Sequence, residues 1–330
     1  MNKITILALN TASATTITAP MDVFQAPERF FDKVSGAKNT HHFEVEVVSP
    51  DGKPVVCANQ LSIAPHRAMD EVTNTDLIII PAVWDIEATI TGHKHVVSWL
   101  QEKSNNGIKI AAICTGVFLL AETGLLDNKE ATTHWGVTDM FSDLYPNVNL
   151  RPERLFTDAG DLFCCGAFSA CIDLSLYLVA KFSGYEMAIK SSKMLVYDIG
   201  RISQSPYVCF NFQRNHTDEA ILQIQYRLEK EFSNNICIND LVQDHGMSRR
   251  TLERRFKNAT GDTPLLYLQR VRVEEAKKVL EISNDTIDEI SYKVGYEDCS
   301  FFRKVFKKNT GLLPGQYRSK FKRVWDFRSK

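Results

Sequence analysis

The end of this 330-residue chain repeats itself at an offset of 50. Residues 255–267 read R-F-K-N-A-T-G-D-T-P-L-L-Y and residues 305–317 read V-F-K-K-N-T-G-L-L-P-G-Q-Y. The offset pairs Phe256 with Phe306, Lys257 with Lys307, Thr260 with Thr310, Gly261 with Gly311, Pro264 with Pro314 and Tyr267 with Tyr317. Aromatics, glycines and prolines matched at one spacing indicate one supersecondary unit built twice.

Each copy follows the order helix, glycine turn, basic helix, which is a helix-turn-helix. In the first, 238–244 is a short helix with Ile238, Leu241 and Val242 on its apolar face. Gly246 supplies the turn and Ser248 the N-cap of the next helix. There Leu252 and Phe256 face inward, while Arg250, Arg254 and Lys257 share another face. In the second, Thr286 caps 287–293, Gly295 turns the chain, and Asp298 or Ser300 starts a helix with Phe302 and Phe306 inward. Adding 50 gives Ser300, Lys304 and Lys307 as its outer face. A helix in the major groove needs such a face, because Arg reads guanine edges bidentately and both cations neutralise phosphates. Glu253 is placed to accept from cytosine or to pair with an Arg. A long helix over 264–282 would set the two reading helices roughly 34 Å apart, in successive major grooves.

Charge supports this division. Residues 215–330 hold 22 Lys and Arg against 17 Asp and Glu, a net +5, and the remainder holds 17 against 23, a net −6. A basic end on an acidic body fits a polyanion-binding tail. The 8 cysteines form no C-x-x-C, and no histidine cluster has zinc spacing, so no metal and no cofactor is expected. The first nine residues alternate like a strand and carry no secretory signal, and the apolar run at 110–121 is too short for a bilayer. The expected location is the cytoplasm, with reduced thiols.

The tail resembles the AraC/XylS family of bacterial regulators, through G-M-S-R-R-T-L-E-R-R-F (246–256), V-G-Y-E-D (294–298) and P-G-Q-Y-R (314–318). The resemblance places base-reading positions at Arg250, Thr251, Glu253 and Arg254, then at Cys299, Ser300, Arg303 and Lys304. With Ser248, Lys257 and Lys307 from the helix faces, these are the candidate contacts to double-stranded operator DNA.

The first two hundred residues read differently. Short β-rich runs at 3–9, 43–48, 76–80 and 109–113 alternate with helical stretches at 20–29, 93–104 and 117–123. A hairpin is expected around 158–161, and helices at 167–181 and 185–195 follow. This alternation predicts an α/β, flavodoxin-like parallel sheet with helices on both faces. The strand 109–113 runs directly into Cys114-Thr115-Gly116 and a helix, the layout of a nucleophile elbow. A helix N-terminus there would lower the thiol pKa.

Residues 111–135 (A-A-I-C-T-G-V-F-L-L-A-E-T-G-L-L-D-N-K-E-A-T-T-H-W) resemble the PfpI, or class I glutamine amidotransferase-like, superfamily, and the likeness spans roughly 1–195. Its enzymes use this Cys with a nearby His or acidic residue, which here implies Cys114 and His134. The acidic position holds Thr16, the family Gly-Gly becomes Ala82-Val83, and Thr rather than His follows the Cys. A thiolate without its acid–base partner is a poor catalyst. The expectation is a non-enzyme with a retained pocket. Its candidate ligand contacts are Thr16, Asp22, Trp84, Cys114, Thr115, His134 and Trp135. Trp84 and Trp135 are either plain core or a wall over a cationic ligand.

The expected organisation is a ligand-sensing, dimerising domain at 1–199, a linker at 200–217 and a DNA-binding domain at 218–330. Tyr207, Phe210 and Phe212 are unusual for a flexible tether and are expected to pack on one domain. An amidotransferase-like domain ahead of two helix-turn-helices resembles one branch of AraC/XylS regulators. That resemblance implies a homodimer, a small amino-acid-like or amine-like effector, and activation through RNA polymerase. Two other readings stand beside it: a cysteine-dependent hydrolase or hydratase with a DNA-binding tail, and a ligand-free regulator whose first domain only dimerises.

Overall fold

A computed structural model describes residues 1–35 and 42–322. Backbone contacts divide the chain into two units, Met1–Gln204 and Ser205–Lys330.

In the first unit, the buried run Ile4–Leu7, the partly alternating Phe43–Ser49 and the fully buried Leu77–Ile80 contribute to one seven-stranded sheet. Its order is Phe156–Asp158, Leu162–Cys165, Lys109–Ile113, Leu77–Ile80, Asn2–Leu7, Phe43–Ser49, Arg67–Ala68. All neighbours are parallel except the Phe156–Asp158 edge, which the 158–161 turn folds back as a hairpin. Helices cover both faces, as strands buried on both sides require. Thr15–Ser35, Ala170–Ser183 and Tyr185–Met194 pack on one core; Lys94–Asn105 and Gly116–Ala121 pack on the other.

Chain order reverses across the sheet between Asn2–Leu7 and Leu77–Ile80. In open parallel sheets the crevice beyond the strand ends at such a point is where ligands sit. Two details differ from the sequence reading. The helix expected from Pro20 begins at Thr15, so Pro20 lies inside it. The second is a helix Ile86–Gly92, capped by Asp85 and too short to show a period in the sequence.

In the second unit the duplication is physical. Gly261 and Gly311 take φ of +76° and +73° and donate to Lys257 O and Lys307 O, both at 2.8 Å. Thr260 Oγ1 donates to Phe256 O at 2.8 Å, and Thr310 Oγ1 to Phe306 O at 2.9 Å. The Phe256 and Tyr267 rings meet edge-on at 5.3 Å; Phe306 and Tyr317 do so at 5.5 Å. The long helix Pro264–Ile282 serves both cores, giving Tyr267, Leu268 and Val271 to one and Val273, Ala276 and Leu280 to the other. A helix not expected from the sequence, Glu219–Lys230, adds Ile221, Ile224 and Leu228 to the first core.

The segment 200–217 is not a free spacer. Ile202 O accepts from Leu155 N, and Arg201 pairs with the buried Asp173, so its first residues belong to the first unit. Phe210 and Phe212 pack into the first helix-turn-helix core, with Phe210 5.1 Å from Tyr267, and Tyr207 lies edge-on to Phe321.

Candidate functional site

Cys114 does sit on an elbow. Its φ is +56°, a left-handed conformation that a non-glycine residue adopts only under local constraint. The constraint is close packing: a Cβ built on Gly116 would lie 2.3 Å from Pro81 O, so only glycine lets the helix start this near the neighbouring loop. The elbow does not present a reactive thiol. Cys114 is buried in the core, and desolvation pushes its pKa up to about 11, against minor lowering by hydrogen bonds from Thr115 and Phe168. The depression expected from the helix N-terminus is overridden, because burial disfavours the thiolate more than the dipole favours it.

The surrounding donors are also occupied. Thr16 Oγ1 donates to Ser13 O at 2.7 Å and accepts from Ala82 N at 3.0 Å. Thr115 Oγ1 accepts from Val83 N at 2.9 Å and donates to Val83 O. Thr16, Ala82-Val83 and Thr115, the three departures from the superfamily pattern, thus meet: the Thr16 hydroxyl accepts from Ala82 N and the Thr115 hydroxyl from Val83 N. His134 Nδ1 accepts from Gly136 N at 3.1 Å, and burial lowers its pKa. Its ring lies 5.0 Å from that of half-buried Trp135. Asp22 is exposed on the helix Thr15–Ser35.

The open volume lies beside the elbow, at the sheet's reversal point. A cleft of about 740 Å³ is lined by Asn10, Thr11, Gln60, Trp84, Asp85, Glu87 and Met140, among others. A second, of about 520 Å³, shares Trp84 and Ala58 with it and reaches Ser13, Ala14 and Thr15. Of the seven candidate ligand contacts, Trp84 alone lines these clefts; its indole is 77% exposed. The floor is three loops tied by main-chain bonds: Trp84 N to Thr11 O at 3.1 Å, Thr11 N to Val56 O at 2.9 Å and Ala58 N to Ala12 O at 3.0 Å. Asp85 and Glu87 line the larger cleft, and among the described residues no Lys, Arg or His does.

One residue that the sequence reading left unmarked supports the elbow from behind. Gln204 is 1% exposed. Its Nε2 donates to Thr133 O at 2.9 Å, Thr132 Oγ1 at 3.2 Å and Arg154 O at 3.2 Å, and its Oε1 accepts from Trp135 N at 3.3 Å. Thr133 Oγ1 in turn donates to Cys114 O at 2.8 Å. The aperiodic stretch 200–217 gave no pattern by which to find it.

In the second unit, Ser248 caps the first reading helix Arg249–Thr260, and Asp298 caps the second, Cys299–Thr310. Arg250, Arg254 and Lys257 are exposed and, among the described residues, carry no ion pair; the same holds for Lys304 and Lys307. Lys308 is exposed as well, whereas three neighbouring arginines are spoken for. Arg249 pairs with Glu253 at 2.9 Å, which also engages the carboxylate offered to cytosine. Arg255 pairs with Asp218 at 2.6 Å, and this hydrogen bond holds the Asp218 carboxyl below its usual range. Arg303 lies 3.2 Å from Asp288, which also accepts from Cys299 Sγ at 2.7 Å. Thr251 Oγ1 is 2.9 Å from Ser248 Oγ, and Ser300 is exposed.

Residues 2–175 match the profile of the DJ-1/PfpI family, and residues 241–320 match a helix-turn-helix domain. The HTH-type transcriptional regulator CdhR of Pseudomonas aeruginosa is 28% identical over 278 residues, covering 83% of this chain and 81% of its own. The HTH-type transcriptional regulator GbdR of Pseudomonas aeruginosa is 25% identical over 293 residues, 88% of this chain and 78% of its own. Among solved structures, a putative transcriptional regulator protein from Vibrio parahaemolyticus aligns with 59% of this chain and 98% of its own, with a TM-score of 0.52 and 21% identity. That likeness concerns the fold. No described helix is long and apolar enough to cross a membrane.

Proposed function

Because this chain belongs to the DJ-1/PfpI family and is a DNA-binding transcriptional regulator of the AraC type, we propose that a small cationic metabolite in the Trp84 cleft controls how its two reading helices engage operator DNA. The observation that carries the DNA part is the selective freedom of charge. At an offset of 50, Arg250, Arg254 and Lys257 on one helix and Lys304 and Lys307 on the other stand exposed and unpaired, while Arg249, Arg255 and Arg303 beside them are neutralised. A groove-facing surface needs the first set free.

The effector part rests on the cleft's chemistry. An exposed indole beside two carboxylates, with no lining cation among the described residues, favours a positively charged ligand through cation–π attraction and charge complementarity. An amino-acid-like or quaternary-amine compound meets that demand. The effector would act by preferring one arrangement of a homodimer's readers, and recruitment of RNA polymerase would make the protein an activator. Work on DNA places it in the cytoplasm, where the eight thiols stay reduced.

A thermal-shift titration of the full chain against amino acids, polyamines and betaines tests the effector reading. One amine should stabilise it saturably, by about 2.7 kcal/mol at a hundredfold excess over Kd. Trp84→Ala should abolish the shift and Cys114→Ala should keep it. A shift that survives Trp84→Ala moves the ligand out of this cleft. No shift with any compound favours a first unit that only dimerises.

A further inference from the structure

The two reading helices are not equal, and the difference is apolar. The offset that superimposes the units carries Thr251 onto Phe301. Thr251 is a half-buried hydroxyl engaged with Ser248. Phe301 stands in the first turn of Cys299–Thr310, 47% exposed, while its neighbour Phe302 fills the core completely. Its ring leans on buried Tyr296 at 5.9 Å, which steadies one edge and leaves the other in solvent. Around it the helix offers DNA little polar discrimination: Arg303 is held by Asp288, Cys299 Sγ donates to the same carboxylate, and Lys304 and Lys307 are suited to phosphates.

First-turn residues of a recognition helix are those that reach base edges. In the major groove the apolar feature of a base edge is the C5-methyl of thymine, and Phe is one of the side chains that packs on it. We propose that Phe301 is a specificity-determining residue that packs on a thymine methyl in the half-site read by the second helix-turn-helix. The first unit then reads through the guanidinium groups of Arg250 and Arg254, and the second through an apolar contact. The inference rests on the DNA-binding reading of the second unit.

The test uses the full chain. Duplexes are selected from a random-sequence double-stranded DNA library, and the selected duplex is remade with deoxyuridine replacing each thymine in turn. This removes one methyl and keeps the pairing edge. One position should emerge at which deoxyuridine weakens wild-type binding about fourfold, the factor expected for one buried methyl-sized group. At that position Phe301→Ala should weaken the thymine duplex and bind both duplexes equally, whereas Phe301→Leu and Lys307→Ala should keep the preference. Equal wild-type binding to every deoxyuridine duplex overturns the proposal, as does a Phe301→Ala variant that folds and keeps the preference. Selection of no motif at all by the wild type overturns the DNA-reading premise with it, and the absence of enrichment identifies that case. Because Phe301 is exposed, its variants should melt within a few degrees of wild type.

Discussion

At the residue scale, the chemistry of Cys114 was only half legible. The strand–Cys–Thr–Gly–helix order announced an elbow, and the φ of +56° places it there. What the thiol can do depends on packing by segments far away in sequence, and no local pattern encodes that. Burial that holds the pKa near 11 leaves almost no thiolate at neutral pH. With iodoacetamide at pH 8, exposed Cys209 and Cys237 should label within minutes, and Cys114 should label only after denaturation, as read by peptide mass spectrometry. Rapid labelling of native Cys114 would reopen the catalytic reading. The folded pKa of Cys114 lies above the unfolded one. The stabilisation tied to this proton is thus complete below about pH 9 and is lost as pH rises through about 11. Cys164 and Cys171, buried and pushed up to about 12, steepen the same alkaline loss. A pH series of melting temperatures should therefore fall more steeply above pH 9 than between pH 7 and 9.

At the element scale, the repeat was read well because each helix-turn-helix carries its own core, and apolar spacing reports local cores. The helix Glu219–Lys230 carries a local signal, an Asp218 cap and Ile221, Ile224 and Leu228 at helical spacing, whereas the attachment of 200–204 is fixed by partners distant in sequence. Gln204 shows how strongly. All four hydrogen bonds of its side-chain amide are made inside the fold, and removing it takes that partner from part-buried Trp135 N and buried Thr133 O. Gln204→Ala should destabilise the first unit by about 2–4 kcal/mol in urea unfolding. Gly166→Ala should do comparable harm for a related reason: its new Cβ would lie 2.4 Å from Gln204 Nε2. If that side chain is the obstacle, the double variant must cost clearly less than the sum of the singles. Additive losses would assign the Gly166 effect to another neighbour. The free-energy cycle thereby tests the contact itself, independently of either variant's absolute stability.

At the scale of the whole molecule, the charge asymmetry between body and tail was visible in the sequence. Which cations are free to meet DNA was not, because pairing depends on folded geometry. Among the described residues, four exposed lysines without an ion pair on the reading helices, Lys257, Lys304, Lys307 and Lys308, each meeting one phosphate, would give log K against log salt a slope of about −3.6. Lys307→Ala should reduce that slope by about 1 on any duplex, the mark of a phosphate contact. Arg303→Ala should reduce it by less, since Asp288 already neutralises that guanidinium in the free protein. Asp288→Asn should release Arg303 and steepen the slope. Fluorescence anisotropy over a salt series measures all three. An Arg303→Ala effect as large as that of Lys307→Ala would mean that the Asp288 pair opens on DNA. The second reading helix would then engage through charge as the first does, and Asp288, competing with phosphate for Arg303, would set how much salt the complex tolerates.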